Sequence, residues 1–244
     1  MKAVRGRALL RLGAVQGAWS YERMLGIGMG YAALPLLEDL RTRDPARYRE
    51  AVARHSEFFN AQPFLASLSL GATTRAEYDG VAGDKITRLR TALCGPLGAL
   101  GDQLFWTGLL PALAGFAILA VGLGRPVIGL VTFVVMFNAV RLAVGWWGLE
   151  LGWHSGMRVG IAMARSWMAR AVTPVGLAAS LAIGMALPVA AAWLLSESSP
   201  GEALGVAVVV GAGVAAGRIS PRITGFRLTL GLAALTFLWY WVSS

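Results

Sequence analysis

The apolar runs that follow residue 100 constrain this chain most. From Gly101 to Ser244 only four acids occur, Asp102, Glu150, Glu197 and Glu202, while long apolar stretches succeed one another. Soluble domains carry about 25% charged residues; this chain has 14%, with a mean hydropathy of +0.60. Such a sequence cannot cover itself with a water-facing surface and calls for a bilayer. Segments 104–123, 126–147, 174–195, 202–217 and 226–243 approach the roughly 20 residues that cross a hydrocarbon core, the fourth being short and rich in Gly, Ala and Val. The expected fold class is all-α: a polytopic membrane protein with about five transmembrane helices and an N-terminal half of interfacial or re-entrant helices.

Basic residues give the expected sidedness. Of the 22 Lys and Arg, 14 lie between Lys2 and Arg90, ahead of the first full-length apolar run. The turn at Gly124 has one Arg; the next loop has Arg158, Arg165 and Arg170; SESSPG has none; Arg218, Arg222 and Arg227 follow; the tail VSS has none. Bases concentrate on the cytoplasmic side of membrane proteins, so the N-terminus is expected inside and the C-terminus outside. The same rule, with attraction to anionic lipid, accounts for the net charge of +9 without nucleic acid, for which the spacing carries no signature.

Residues 1–100 read as a cytoplasmic-side region of amphipathic and re-entrant helices, and 101–244 as the transmembrane region of one integrated membrane domain. Met24–Leu37 and Pro63–Thr73 are apolar but too short to span comfortably, lengths that suit re-entrant or interfacial segments or helices buried among others. Arg41–Phe59 reads as a polar helix, with Asp44 as its cap and Pro45 at its first position. Lys2, Arg5, Arg7 and Arg11 are followed by no long apolar core before Gln16, so no secretory signal is expected. The single cysteine, Cys94, excludes an intrachain disulfide and a thiolate cluster.

Polar groups where apolar ones would be cheaper are the functional signal in such a chain. The first cluster, Trp19-Ser-Tyr-Glu22-Arg23-Met24, sets an acceptor and a donor at the mouth of a half-length apolar run; its structural alternative is an ion pair anchoring a helix end. The second runs from His55 to Pro63 (HSEFFNAQP), where Asn60 and Gln62 suit a neutral polyol and Pro63 biases Gln62 away from helix. His55 and Glu57 find no further ligand at convincing spacing, so no metal is expected. The third, Gly95 to Trp106 (GPLGALGDQLFW), is expected to break regular structure just before a span and to bring Asp102 to the membrane boundary. Its glycine spacing lacks the strand before and the Lys-Ser/Thr after that a phosphate loop needs. Arg141, inside the second span, needs a partner, and Asp102 and Glu150 are the acids available in the membrane half; otherwise it snorkels to the interface near Trp146 and Trp147.

QGAWSYERMLGIGMGYAALPLL, RHSEFFNAQPFLASLSLG, GPLGALGDQLFW and FNAVRLAVGWWGLELGW, in this order between Gln16 and Trp153, resemble the IID subunit of mannose/fructose/sorbose-family phosphotransferase (PTS) permeases. The resemblance implies a bacterial inner-membrane subunit that assembles with IIC, commonly as trimers, into a unit moving a hexose such as mannose by an elevator-like motion. Cytoplasmic IIA and IIB would relay phosphate, leaving this chain non-catalytic by itself and without a cofactor. Leu25 stands where the family commonly has Gln, and the part beyond Arg170 is shorter and richer in Gly and Ala than the family's. Glu22, Arg23, His55, Asn60, Gln62 and Asp102 are the residues expected at or near the sugar path, with Glu22, Asn60 and Gln62 for hydroxyl contacts and Arg23, His55 and Asp102 alternatively holding the segments together. The rival readings are a non-transporting scaffold or sensor of an incomplete phosphotransferase system, and a membrane enzyme acting on lipid, for which the scattered acids supply neither a metal site nor a nucleophile with its base.

Overall fold

A computed structural model describes residues 2–195, and the regular elements among them are helical: α1 (Lys2–Leu12), α2 (Gly26–Arg43), α3 (Pro45–His55), α4 (Ala66–Tyr78), α5 (Gly83–Gly101), a π-helix (Asp102–Leu109), α6 (Leu110–Gly122), α7 (Pro126–Ser155), a 3₁₀ turn (Gly156–Arg158), α8 (Val159–Ala164) and α9 (Trp167–Leu195). The chain divides into two compact units, Met1–Leu187 and Pro188–Ser244. The expected spans 202–217 and 226–243 lie outside the described residues. Among the described residues three helical stretches are long and apolar enough to cross a membrane, Gly83–Gly122, Pro126–Ala164 and Trp167–Trp193. They match the first three expected spans to within two residues at their C-terminal ends or contain them, and the fold is that of an all-α, polytopic membrane protein.

Two expectations are corrected. The run GPLGALG does not break the helix: α5 continues through Gly95, Pro96, Gly98 and Gly101 directly into the π-helix. The irregularity falls after the glycines, where the backbone widens its turn from Asp102 onward, a form of helix that recurs at functional sites. The polar helix expected over 41–59 is two helices. Pro45 biases Asp44 away from the helical region, so α2 ends at Arg43; Asp44 Oδ1 then accepts the Arg47 N–H (3.0 Å), capping α3, which stops at His55.

The short apolar runs become buried helices. Met29, Ala32, Ala33, Leu36, Leu37 and Leu40 place most of α2 in the core. Pro35 sits inside α2 and has no N–H to offer the Tyr31 carbonyl one turn back. Arg11 takes that carbonyl instead (Nη1 to O, 3.1 Å) while its guanidinium covers the Tyr31 ring at 4.4 Å, fastening α1 to α2. α4 is almost wholly buried and packs chiefly against α7. The two backbones meet through glycines: a Cβ on Gly71 would collide with the Leu149 carbonyl, and one on Gly152 with that of Leu68. With Gly148 four residues before Gly152, this is the small-xxx-small contact by which membrane helices approach closely.

Ion pairs join the remaining elements. Glu77 of α4, its side chain fully buried, receives Arg54 through two bonds (2.9 and 3.3 Å) and Arg47 at 3.1 Å, both from α3. Arg5 of α1 pairs with Glu150 of α7 and lies over Trp153. Glu150 is therefore engaged by Arg5, whereas the Arg141 guanidinium stands 5.3 Å from the centre of the Phe64 ring. The aromatic face takes the place of the acid expected for Arg141.

Candidate functional site

The structure ties the first two polar clusters together. The turn that ends at Met24, whose φ of +51° is unusual for a side-chain-bearing residue, lies alongside the segment that follows α3. Phe59 N–H donates to the Arg23 carbonyl (3.2 Å) and Leu25 N–H to the Phe59 carbonyl (2.9 Å). The Arg23 side chain adds a bond from Nη1 to the Ser56 carbonyl (3.2 Å). Phe59 itself is fully buried.

Arg90 of α5, which the sequence reading did not single out, holds the same segment from the other side. It is 1% exposed, and its guanidinium donates to the carbonyls of His55 (2.9 Å), Glu57 (3.2 Å) and Phe58 (3.5 Å) while covering the Phe59 ring. A buried charge is retained where oxygen acceptors converge on it. The available signal was an arginine on the buried face of TRLRTALCG, between Ile86 and Leu93.

His55 serves the frame. It is fully buried, with Nδ1 2.8 Å from the Ala51 carbonyl and Nε2 3.0 Å from Thr73 Oγ1. A carbonyl only accepts, so Nδ1 carries the proton, and Nε2 lies against the Thr73 hydroxyl, whose single proton it shares with the Ser69 carbonyl at 2.8 Å. Burial, reinforced by the nearby Arg90 charge, lowers its pKa to about 3 and keeps the ring neutral.

Asn60, Gln62 and Asp102 meet in one cleft of about 480 Å³. One wall is the extended segment with Phe58, Asn60, Gln62 and Pro63; the other is a face of α5 carrying Cys94, Gly95, Gly98 and Ala99 and leading to Asp102. The spacing of these residues along α5 places them on one helical face. Their small size gives the cleft its room, since a Cβ on Gly95 or Gly98 would meet nothing within 4 Å. The third cluster thus supplies a smooth wall where the sequence suggested a break.

Gln62 is the best-defined polar group there. Its Oε1 accepts the N–H groups of Phe64 (2.7 Å) and Leu65 (3.2 Å), just ahead of α4. That fixes the amide orientation and leaves Nε2, buried, without a hydrogen-bond partner. A buried donor left unpaired is costly, and Gln62 Nε2 is such a donor in a residue that lines the cleft. Gly101 lets α5 approach this side chain, because a Cβ there would overlap Gln62 Cβ and Cγ. Asn60 and Asp102 are exposed on the cleft, and Phe58 adds an aromatic surface. One unpaired amide donor, a second amide, a carboxylate acceptor and an aromatic ring suit a neutral polyhydroxylated ligand. Glu22 and Arg23 are exposed on the turn, outside this lining, as is the buried His55. Among the described residues no group of three or more His, Cys, Asp or Glu is arranged to hold a metal.

The model of the PTS system mannose/fructose/sorbose family IID component matches residues 2–186. This chain belongs to that family. The IID chain is 32% identical over 161 residues to the mannose-specific EIID component of Escherichia coli K12, covering 64% of this chain and 56% of that one. It is 30% identical over 155 residues to the fructose permease IID component of Bacillus subtilis (62% and 56%) and 33% identical over 155 residues to the sorbose-specific EIID component of Klebsiella pneumoniae (62% and 56%). It therefore spans little more than half the length of these relatives. Among solved structures, it resembles a chain in the complex of mannose transporter ManYZ with microcin E492, with a TM-score of 0.60 and 26% identity over 82% of this chain and 72% of that one. The resemblance carried by the sequence blocks is borne out: this IID chain is a membrane component of a mannose-family phosphotransferase permease.

Proposed function

We propose that this IID chain forms, together with a IIC membrane subunit, the path by which a hexose such as mannose enters the cell, and that IIB phosphorylates the sugar on uptake. The observation that carries the proposal is the cleft between residues 58–63 and α5, which Gln62, with its unpaired Nε2, Asn60, Asp102 and Phe58 line together. Gln62 donates to a sugar hydroxyl, Asp102 accepts from another, and Phe58 covers an apolar face of the ring. Glu22 and Arg23, on the turn that Phe59 pins, belong to the surface turned toward the IIC subunit. Because each hydrogen bond to a neutral sugar replaces one to water, its net gain is about 0.5–1.5 kcal/mol, and recognition requires several together.

The chain itself carries no phosphoryl group in this scheme; IIA and IIB hold that chemistry on the cytoplasmic side. The assembly lies in the bacterial inner membrane among its lipids, with trimeric IIC and IID, the basic first hundred residues toward the cytoplasm, and the C-terminus outside. The test is uptake of labelled mannose, glucose, fructose, sorbose and hexosamines in a strain lacking its own mannose-family permease, with this chain, the neighbouring IIC and matching IIA and IIB. Phosphorylated sugar accumulating only when both membrane subunits are present is the expected result. A stable IIC–IID complex without uptake would overturn transport in favour of a sensor, and no complex at all would remove the shared path.

A further inference from the structure

A second cavity, of about 530 Å³, lies away from the sugar cleft, where α1, the C-terminal ends of α2 and α4, and Trp153 of α7 converge. Its aromatic wall is the pair Tyr78 and Trp153, with ring centres 5.7 Å apart; Tyr78 is fixed by donating to the Leu36 carbonyl (2.8 Å). Its charges are Arg5, Arg7, Arg43 and Arg75 against Glu38, Asp39 and Asp79. Most are already matched: Arg5 with Glu150, Arg43 with Asp39 at 3.9 Å, Arg75 with Asp79 at 2.9 Å, and Glu38 with Arg41 at 3.3 Å. Arg7, exposed at the rim, has no acidic partner among the described residues. The cavity therefore has room for one negative charge.

Its height along α7 identifies the source of that charge. Trp153 follows Pro126 by a distance of about 40 Å at the α-helical rise. A bilayer measures about 30 Å across its hydrocarbon and 40–45 Å with its headgroups. If α7 enters the membrane near Pro126, Trp153 stands at headgroup level, followed by Arg158, Arg165 and Arg170. An aromatic belt residue beside a basic pocket is the setting in which membrane proteins hold anionic headgroups. We infer that this cavity binds the headgroup of an anionic phospholipid, with the phosphate on Arg7 and Arg75 and the glycerol against Tyr78 and Trp153. This reading does not depend on sugar transport, because its test measures lipid.

The experiment is native mass spectrometry of the full-length chain, delipidated in detergent and titrated with phosphatidylglycerol or phosphatidylcholine of equal acyl length. Wild type should retain one phosphatidylglycerol at least about tenfold more tightly than phosphatidylcholine, whose phosphate is the same but whose choline cation cancels the net charge and replaces the glycerol hydroxyls. Arg7→Gln, which removes an exposed and unpaired side chain, should lose most of that preference, and Arg7→Gln with Arg75→Gln all of it. Arg158→Gln, exposed and outside the cavity, should keep it, and circular dichroism melting checks that each variant is folded. Equal affinity for both lipids, or a preference that survives the double substitution in a folded chain, would overturn the inference. Inorganic phosphate and glycerophosphoglycerol are titrated in parallel. Binding of either as tight as that of phosphatidylglycerol would assign the cavity to a soluble anion and overturn the lipid.

Discussion

Gln62 shows how one side chain joins folding to recognition. Its oxygen serves the two N–H groups just ahead of α4, and its nitrogen is buried without a partner in a residue that lines the cleft. Gln62→Glu keeps acceptor oxygens for those N–H groups, at a helix start that favours negative charge, and removes the donor. The variant should assemble normally, while the KM for uptake rises severalfold, up to about tenfold; unchanged uptake kinetics would exclude a sugar contact at Nε2. His55 makes the opposite case, a polar residue spent on the frame. Its folded pKa, about 3, lies below the ordinary value of 6.5, so between these limits the unfolded chain binds the extra proton. Stability is fully present above pH 6.5 and falls as pH drops toward 3, by about 2 kcal/mol between pH 7 and 5. Thermal melting in detergent should show that slope, and His55→Gln, which offers a donor and an acceptor but does not titrate, should flatten it.

At the scale of elements, the α4–α7 crossing is set by what Gly71, Gly148 and Gly152 lack. Gly152→Leu drives a side chain into the Leu68 carbonyl and should destabilise the bundle by about 3 kcal/mol or more. Gly160→Leu, at a position where a Cβ meets nothing, should be tolerated. Melting temperature and yield of membrane-inserted protein compare the two. In the sequence Gly148 and Gly152 fall just past the expected span 126–147, and the partner helix shows only as the short apolar run Pro63–Thr73, whose length does not say which helix it packs against. The same limit explains the third cluster. Glycine and proline signal a break in isolated chains, yet Gly95–Gly101 is helical in the fold, where Leu93 and Leu97 are buried and Gly101 packs against Gln62. Helix starts fared better: Asp44-Pro45 carried its cap in plain view, because capping is local. Long-range pairings such as Glu77 with Arg47 and Arg54, or Arg90 with three carbonyls, leave no periodic trace in sequence.

For the whole molecule, the first three of the four blocks of residues that carried the family resemblance become one connected device. The turn at Arg23 is sewn to Phe59, Phe59 is held by Arg90, and α5 brings the glycine face and Asp102 opposite Gln62. The composition identified a membrane protein and the order of blocks its family, but the cleft arises only when segments about 35 residues apart are folded together, which no local pattern encodes. Gly98 permits a direct test of whether that cleft is the route. Because Gly98 faces open space, Gly98→Ala adds a methyl group without a clash and removes the flexibility of a mid-helix glycine, so the fold should be as stable or more so. Gly98→Leu projects a longer side chain into the same space and fills part of the 480 Å³. Both proteins should reach the membrane and pair with IIC equally well, while uptake is retained in the alanine variant and reduced at least about tenfold in the leucine variant, as exclusion of a bound ring from its site requires. Equal transport by the two would place the sugar path elsewhere in the IIC–IID assembly and leave the cleft a packing feature of α5.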